Sequence, residues 1–462
     1  MTSTVSYATP KWWKEAVVYQ IYPSSFQSHV GCETGVGTIK GITSRLDYLK
    51  TLGVDIVWSS PFCKSPQVDM GYDISDYKNI DPRYGSLADV DTLIAELRKR
   101  DMKLIIDLVV NHSSDQHPWF LESRSSKDNP KRDWYIWRKP RDGGPPNNWA
   151  SILGEANSAW TYDSLTGEYY FSLFTPEQPD LNWDNPEVRT AVWDIMHFWM
   201  KRGAAGFRLD VINLISKAPG YPDAEIILDP KTHKYQPAFK YVVNGPRMHN
   251  YLREMHSEVL SQYGKQYLLA LIPHRESIYR YGSKNAITVG EMPWVSDEDE
   301  ILQTVGANEG ELRMIFIFDL VDIDKPNIRM AFKPWDFRTM KAVIARWQRV
   351  MIQNDGWNAV FIENHDNPRS ISHFADDSDQ YRHISAKLLA LMQVTLGGTL
   401  FVYQGEEIGM RNISKDWDIS EYKDVETQNY SKKVNEIWAN SPELLQHGRA
   451  VIEAKDETER RG

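Results

Sequence analysis

The segment KLIIDLVVNH (residues 103–112) joins an almost entirely apolar run to a polar end. Parallel strands that are covered on both faces have continuous apolar sequences rather than alternating ones. The run therefore predicts a central parallel strand at 103–109. Asn111 and His112 then follow the carboxyl end of that strand.

Short β-like runs alternate with helical stretches on both sides of this segment, and this order predicts parallel βαβ units. We expect eight strands, which start at Val17, Val54, Lys103, Ala205, Ile287, Met314, Asn358 and Thr399. We expect the main helices at 42–52, 87–100, 186–202, 245–263, 335–352, 381–394 and 434–453. Eight βα units are the number found in a TIM barrel, so the sequence predicts an α/β fold of the (β/α)8 type.

One connection in this pattern is much longer than the others. Residues 113–185 follow the third predicted strand and are rich in Trp, Pro, Gly and Asn. Since βα loops usually have only a few residues, the stretch predicts a subdomain on the carboxyl-terminal face of the barrel, where active sites lie. We expect the first part of the barrel at 1–112, the inserted subdomain at 113–185 and the remainder of the barrel at 186–462.

The composition argues against several classes of protein. The chain has 53 Lys and Arg against 63 Asp and Glu, a formal net charge of −10, which disfavours a nucleic-acid partner. Its apolar runs are too short for a membrane span, and residues 1–15 lack the apolar part of a secretory signal. The two cysteines allow one disulfide at most, so a cytoplasmic location is the simplest expectation. We expect neither a cofactor nor a bound metal.

Polar side chains end four of the predicted strands, at the edge where barrels carry catalytic residues. Strand alternation puts Arg208 and Asp210 on one face, and a neighbouring Arg favours the ionised form of a carboxylate. Retaining glycosidases use two carboxylates that flank the glycosidic bond to be cleaved. One such Asp could equally be structural. Four polar strand ends make that interpretation improbable, and we expect three carboxylates to converge: Asp210, Glu291 and Asp366.

These strand ends carry a resemblance to a known family. The ordered signatures of the α-amylase superfamily, glycoside hydrolase family 13, are similar to DLVVNH (107–112), GFRLD (206–210), GEMPW (290–294) and ENHD (363–366). QPDLN (178–182) resembles the additional signature of the oligo-1,6-glucosidase and α-glucosidase branch. The resemblance extends from residue 11 to residue 445 and is greatest to fungal and yeast maltases and isomaltases.

The resemblance implies a retaining, exo-acting α-glucosidase that takes a small oligosaccharide or disaccharide as its substrate. It implies that Asp210 is the nucleophile, that Glu291 is the acid and base, and that Asp366 stabilises the transition state. Asp107 would brace the site from within the barrel. The pKa of Glu291 should be raised, because the acid must carry a proton. The glucose subsite would be formed by Asp69, Tyr72, His112, Arg208 and His365.

Val211, directly after the expected nucleophile, bears on the linkage that is cleaved. In the resembling family Val at this position accompanies α-1,6 cleavage and Thr accompanies α-1,4 cleavage, so we expect isomaltose-type substrates. Val is also common in barrel cores. A maltase, a transglycosylating enzyme similar to sucrose isomerases and an inactive truncated member are the alternatives. The sequence leaves the oligomeric state open.

Three regions depart from the family pattern. Residues 28–33 stand where bacterial relatives have a calcium loop, and with one carboxylate we expect no metal there. Residues 266–284 are expected to be an insertion before the fifth strand, either a retained intron or a surface loop. The family continues with a segment whose Arg pairs with the counterpart of Asp69, and then with a β-sandwich domain. Both are expected to be missing from this chain, which ends at Gly462.

Overall fold

Eight parallel strands close into a barrel in the computed structural model, which describes residues 11–32, 34–153, 157–230, 233–264, 286–306, 311–325, 333–414, 417–418 and 421–437. The strands lie around the barrel in chain order, and the eighth pairs with the first. The predicted (β/α)8 fold is thereby confirmed. The strands are Val17–Ile21, Ile56–Ser59, Lys103–Leu108, Gly206–Leu209, Ile287–Glu291, Met314–Phe316, Asn358–Val360 and Thr399–Tyr403.

Helices alternate with these strands and pack their apolar faces against them. The longer ones are Ile39–Ser44, Leu46–Leu52, Leu87–Lys99, Pro118–Ser125, Pro186–Arg202, Met248–Glu258, Glu298–Val305, Phe337–Gln353, Arg382–Val394 and Val425–Ile437. Shorter helices and 3-10 turns are Pro23–Phe26, Arg132–Trp134, Ile212–Leu214, Phe239–Val242, Leu260–Gly264, Ser370–Phe374 and Glu406–Ile408. Within the described part of the chain, none of the helices combines the length and apolar character needed to cross a membrane.

Local sequence chemistry sets the ends of the best-defined helices. Leu87–Lys99 begins with a capping box, in which Ser86 and Asp89 bond each other's backbone N–H groups. Pro186–Arg202 begins with Pro at its first turn and ends at Gly203, whose φ of 115° only glycine adopts readily. Both helices agree with the predicted bounds to within one residue.

Three helix predictions need correction. The helix predicted at 42–52 is two helices, because Thr38 caps the first at Ile39 and the chain turns at Arg45. The helix predicted at 245–263 ends at Glu258 and is followed by the turn Leu260–Gly264. The helix predicted at 434–453 begins earlier, at Val425, and is described as far as Ile437. The remainder of that prediction and the insertion at 266–284 lie outside the described residues.

The residues of each strand alternate between two apolar layers. Phe207 and Leu209 belong to the layer shared with the helices. Arg208 and Asp210 therefore point into the barrel, as expected. The lower part of the barrel interior is filled by apolar side chains that include Val18, Ile56, Trp58, Ile105, Ile287, Val289, Met314, Phe316 and Phe401.

The long third connection folds against the carboxyl end of the barrel. It contains a three-stranded antiparallel sheet whose strands are, in spatial order, Trp137–Arg138, Glu168–Phe171 and Trp160–Asp163. A smaller two-stranded sheet, Cys63–Lys64 with Asp76–Ile80, follows the second barrel strand. A β-bridge joins His112 to Asp180, at the other end of the long connection. We propose 113–185 as the extent of the inserted subdomain.

Candidate active site

A cavity of about 380 Å³ lies at the carboxyl ends of the barrel strands. Binding sites for small molecules have volumes in this range. Arg208 and His365 lie behind the cavity wall and bond residues that form it. The structure thus brings all nine predicted site residues together. Seven of them line the cavity directly: Asp69, Tyr72, His112, Asp210, Val211, Glu291 and Asp366.

The Arg208 guanidinium is the central cation of the site and is only 1% exposed. Its Nη1 atom donates to Oδ1 of Asp107 over 2.9 Å and to Oδ1 of Asp210 over 2.5 Å. Its Nη2 atom lies 2.7 Å from Oε2 of Glu291. Strand register explains the convergence, because Asp107 and Val289 flank Arg208 on the two neighbouring strands and Glu291 is two residues beyond Val289. One buried cation therefore holds three carboxyl groups.

Burial has the largest effect on how the carboxyls of Glu291 and Asp210 titrate. It raises the pKa of Glu291 to about 8, helped by the charges of Asp210 and Asp366 and opposed by Arg208. It raises the pKa of Asp210 to about 7 in the same way, again against Arg208. The raised pKa expected for Glu291 is confirmed. Arg208 favours the ionised form of Asp210, as expected, but the desolvation of this buried carboxyl has the larger effect and raises its pKa.

The backbone of Val211 connects Asp210, its neighbour in the chain, to the side chain of Glu291. Its φ of 35° lies in the left-handed region, which is strained for a β-branched residue. In this conformation its N–H donates to Oε2 of Glu291 over 3.0 Å. Since Oε2 also contacts Nη2 of Arg208, a proton on Glu291 is placed on Oε1.

His365 links the cavity residues Tyr72 and Asp366. Gln20 donates to Nδ1 of His365 over 2.9 Å, so the ring proton of the neutral imidazole is on Nε2. Nε2 lies 2.6 Å from the Tyr72 hydroxyl and 3.2 Å from Oδ2 of Asp366. The Tyr72 hydroxyl in turn donates to Asp107. The side chain of Asp366 is 24% exposed, against 8% for Glu291, so Asp366 is the more accessible carboxylate.

Asp69 and His112 form a further part of the wall. Gln178 donates to Oδ2 of Asp69 over 3.0 Å, and Nε2 of His112 lies 3.1 Å from the carbonyl oxygen of Tyr72. The ring of Phe174 packs against His112 with a centroid distance of 5.1 Å. Gln178 and Phe174 come from the inserted region, which therefore contributes directly to the site.

Sequence reasoning missed another part of the cavity wall. Trp294 lines it at a φ of 61° and packs on Phe239 at a centroid distance of 4.7 Å. Asp319 lines it beside Phe318 and accepts hydrogen bonds from Ser296 and Trp347. Phe318 and Asp319 follow the sixth strand, so the strand-end rule that found Asp210 would also have pointed to them.

Side chains that could hold a metal are not grouped in the part of the chain that the structure describes. No cluster of three or more His, Cys, Asp or Glu has a suitable arrangement there. The segment 28–33, where we expected no calcium site, includes Glu33, which lies outside the described residues.

Known proteins match this chain over most of its length. Residues 20–444 match the family model described as alpha amylase, catalytic domain. The alpha-glucosidase of Schizosaccharomyces pombe is 49% identical over 430 residues, which cover 92% of this chain and 69% of that protein. The oligo-1,6-glucosidase of Parageobacillus thermoglucosidasius is 47% identical over 438 residues, which cover 94% and 72%.

A solved structure has the same architecture. The crystal structure of an isomaltulose synthase mutant from Erwinia rhapontici NX5, in complex with its natural substrate sucrose, has a TM-score of 0.84 at 38% identity. The match covers 98% of this chain and 75% of that one. The family match spans every residue of the cavity wall.

Proposed function

The chain belongs to the alpha-amylase catalytic-domain family, and from this premise we propose that it is a retaining, exo-acting α-glucosidase. Its family makes it a glycoside hydrolase. The substrate proposed is a short α-glucoside from which glucose is released at the non-reducing end. The names of relatives 47–49% identical support this substrate class.

One observation carries the proposal, which is the placement of Asp210 and Glu291. Both line one cavity, and both bond terminal nitrogens of the same Arg208 guanidinium. Retaining glycosidases need their two carboxyls only about 5–5.5 Å apart, and a shared guanidinium favours such a short separation. Glu291 has the higher pKa, about 8 against about 7, so it is the member of the pair that still carries a proton when Asp210 is ionised.

In the first step, the ionised carboxylate of Asp210 attacks the anomeric carbon of the bound glucose. Glu291 gives its proton to the glycosidic oxygen, and the bond from that oxygen to the anomeric carbon breaks. The alcohol leaves, and the glucosyl group is esterified to Asp210. Arg208 contacts the nucleophile and the acid, and so stabilises the negative charge that passes from one to the other.

In the second step, the ionised Glu291 removes a proton from a water molecule. The water oxygen attacks the anomeric carbon, and the ester bond to Asp210 breaks. Two inversions give net retention. Asp366, the more accessible carboxylate, is proposed to stabilise the positive charge that develops on the sugar ring in both steps.

Asp69 and Tyr72, which both line the cavity, are proposed to fix the end of the substrate. Asp69 is held by Gln178 and can accept hydrogen bonds from the non-reducing-end hydroxyls. Tyr72, anchored by His365 and Asp107, is proposed to provide the ring on which glucose stacks. This arrangement is suited to a single terminal sugar, and hence to exo-cleavage.

Val211 supports a preference for α-1,6 linkages. Its side chain lines the cavity immediately beside the two working carboxyls. Because the side chain of Val211 has no hydroxyl, it offers no hydrogen bond to the departing part of the substrate. Isomaltose is therefore the proposed model substrate, and maltose is the alternative.

A second candidate is transfer of the glucosyl group to a sugar instead of water. The similarity to an isomaltulose synthase solved with sucrose favours testing it. The two functions share the first step and differ in the acceptor. Incubation with sucrose separates them, because hydrolysis releases equal amounts of glucose and fructose whereas transfer yields an isomeric disaccharide.

Trapping of the covalent intermediate tests the proposal. A 5-fluoro-α-glucosyl fluoride should add one fluoroglucosyl group to the protein, and peptide mass spectrometry should place it on Asp210. Asp128→Asn, on an exposed side chain, should label like the wild type. Labelling on another carboxyl, or turnover of ordinary aryl α-glucosides with no label at all, would refute the assignment of Asp210.

A further inference from the structure

A buried lysine lies behind the sugar cavity and has no part in the chemistry described above. The side chain of Lys217 is 3% exposed. Its Nζ atom lies 2.7 Å from Oδ2 of Asp180 and donates to Oδ1 of Asn111 over 2.9 Å. A buried ammonium is costly unless it is paired and hydrogen-bonded, so these contacts define a built site.

The Lys217–Asp180 ion pair determines how the side-chain amide of Asn111 is oriented, because the ammonium can only donate and the carboxylate can only accept. An ammonium can only donate, so the oxygen of Asn111 must face Lys217. Its Nδ2 atom is then turned towards Oδ2 of Asp180, at 3.0 Å, and towards Nδ1 of His112, at 3.3 Å. Asp180 is itself fixed, because its Oδ1 accepts the N–H of Leu173 over 2.8 Å.

The orientation of Asn111 in turn selects one of two neutral tautomers of His112. With the amide nitrogen of Asn111 facing it, Nδ1 must accept, so the ring proton is on Nε2 and is donated to the carbonyl oxygen of Tyr72. With Asn111 reversed, Nδ1 would carry the proton. Nε2 would then accept from Gln178, whose Nε2 lies 3.2 Å away. Both tautomers have a partner available, so His112 can take either.

We propose that Lys217 and Asp180 act together as a positioning pair that, through the amide orientation of Asn111, holds His112 in its Nε2–H tautomer. His112 lines the cavity, so its Nε2–H can be shared between the carbonyl oxygen of Tyr72 and a hydroxyl of the bound sugar. In the other tautomer the same atom would only accept. The role in sugar binding rests on the proposed glucosidase function, whereas the tautomer itself does not.

Two variants separate positioning from simple structural support. Lys217→Met leaves Asp180 as a buried unpaired charge, so it should lower the melting temperature. Lys217→Met combined with Asp180→Asn removes both charges and should recover most of that loss. In the double variant the N–H of Leu173 still requires an oxygen, so the new amide nitrogen faces Asn111. Asn111 should then reverse and move the His112 proton to Nδ1.

The experiment measures melting temperature, KM and kcat with an aryl α-glucoside, and the tautomer of His112 by ¹⁵N NMR. The His112 signal is assigned by its loss in His112→Gln. The double variant should melt close to the wild type, keep its KM raised by about tenfold and show the proton on Nδ1. Lys240→Met is the matched control, because Lys240 pairs with Glu225 on the surface.

Recovery of KM together with melting temperature in the double variant, or an unchanged His112 tautomer, would overturn the proposal. If Lys217→Met does not fold, the double variant decides alone. If the wild type has no α-glucosidase activity, the proposed function fails. The NMR measurement still decides the tautomer in that case.

Discussion

The backbone N–H of Val211 donates to Oε2 of Glu291 over 3.0 Å, which ties the residue after the proposed nucleophile to the proposed acid. Val211 can do so only because its φ is 35°, an unfavourable value for a β-branched side chain. Nη2 of Arg208 contacts the same Oε2 atom of Glu291. A proton on Glu291 is therefore placed on Oε1, which is the oxygen that we propose delivers it.

Replacing either working carboxyl should abolish turnover without abolishing sugar binding. Asp210→Asn removes the proposed nucleophile and Glu291→Gln removes the proposed acid, so kcat should fall on the order of a thousandfold or more in each. Rates with an aryl α-glucoside and binding by calorimetry measure the two effects. Asp128→Asn, on an exposed side chain, serves as the control. Normal hydrolysis by either active-site variant would mean that the roles are wrongly assigned.

The activity should depend on pH in the way that the two buried carboxyls titrate. kcat/KM should fall below about pH 7, where Asp210 gains a proton, and above about pH 8, where Glu291 loses one. The alkaline fall should be weaker with α-glucosyl fluoride, because fluoride needs less help from an acid to leave. An alkaline limb that is equally steep for both substrates would argue against Glu291 as the acid.

Val211→Thr should shift the preference from isomaltose towards maltose. The substitution keeps the shape of the side chain and adds a hydroxyl to the cavity wall beside Glu291. The ratio of kcat/KM for isomaltose to that for maltose should fall by about tenfold, which is the effect of one hydrogen bond. Val343→Thr adds a hydroxyl elsewhere on the same wall and should leave the ratio unchanged. An unaltered ratio in Val211→Thr would remove this residue as the determinant.

His249 should stabilise the fold more at acidic than at alkaline pH. Burial opposes its charged form, but Glu311 and Glu300, at 2.8 Å and 3.2 Å from its two ring nitrogens, outweigh burial and raise its pKa. The stabilisation is complete below the unfolded-state pKa of 6.5 and is lost as the pH rises through the higher folded-state pKa.

Melting temperatures of His249→Gln across pH 5.5–9 measure this effect. The loss relative to the wild type should be about 2 °C at acidic pH and should shrink as the pH rises. His256→Gln, on the same helix, should behave in the opposite way, because burial lowers the pKa of His256. A loss in His249→Gln that is constant with pH would show that the ring packs without a charge.

The strands of the barrel could be predicted from the sequence because each is a compact apolar run. Lys103–Leu108 is an example, and its observed bounds differ from the prediction by one residue. The helices were less predictable. Ile42, Leu46 and Leu49 keep a helical spacing across Arg45, where the chain turns, so periodicity could not reveal the break.

The positions of site residues at strand ends could be predicted from the sequence. Their titration could not, because it depends on burial. Arg208 and Asp210 lie on one face by alternation alone. The balance between burial and the attraction of Arg208 was not accessible, because it depends on how completely Asp210 is removed from water. Phe174 and Gln178 reach the cavity from the inserted region, and the sequence does not show which parts of that region contact the barrel.

The stereochemistry of the first product tests the central claim most directly. If Asp210 forms a covalent intermediate and Glu291 activates water, ¹H NMR during early hydrolysis of an aryl α-glucoside should show α-glucose first. β-Glucose should then appear only at the rate of mutarotation. β-Glucose as the first product would mean direct attack by water and would contradict the double displacement proposed here.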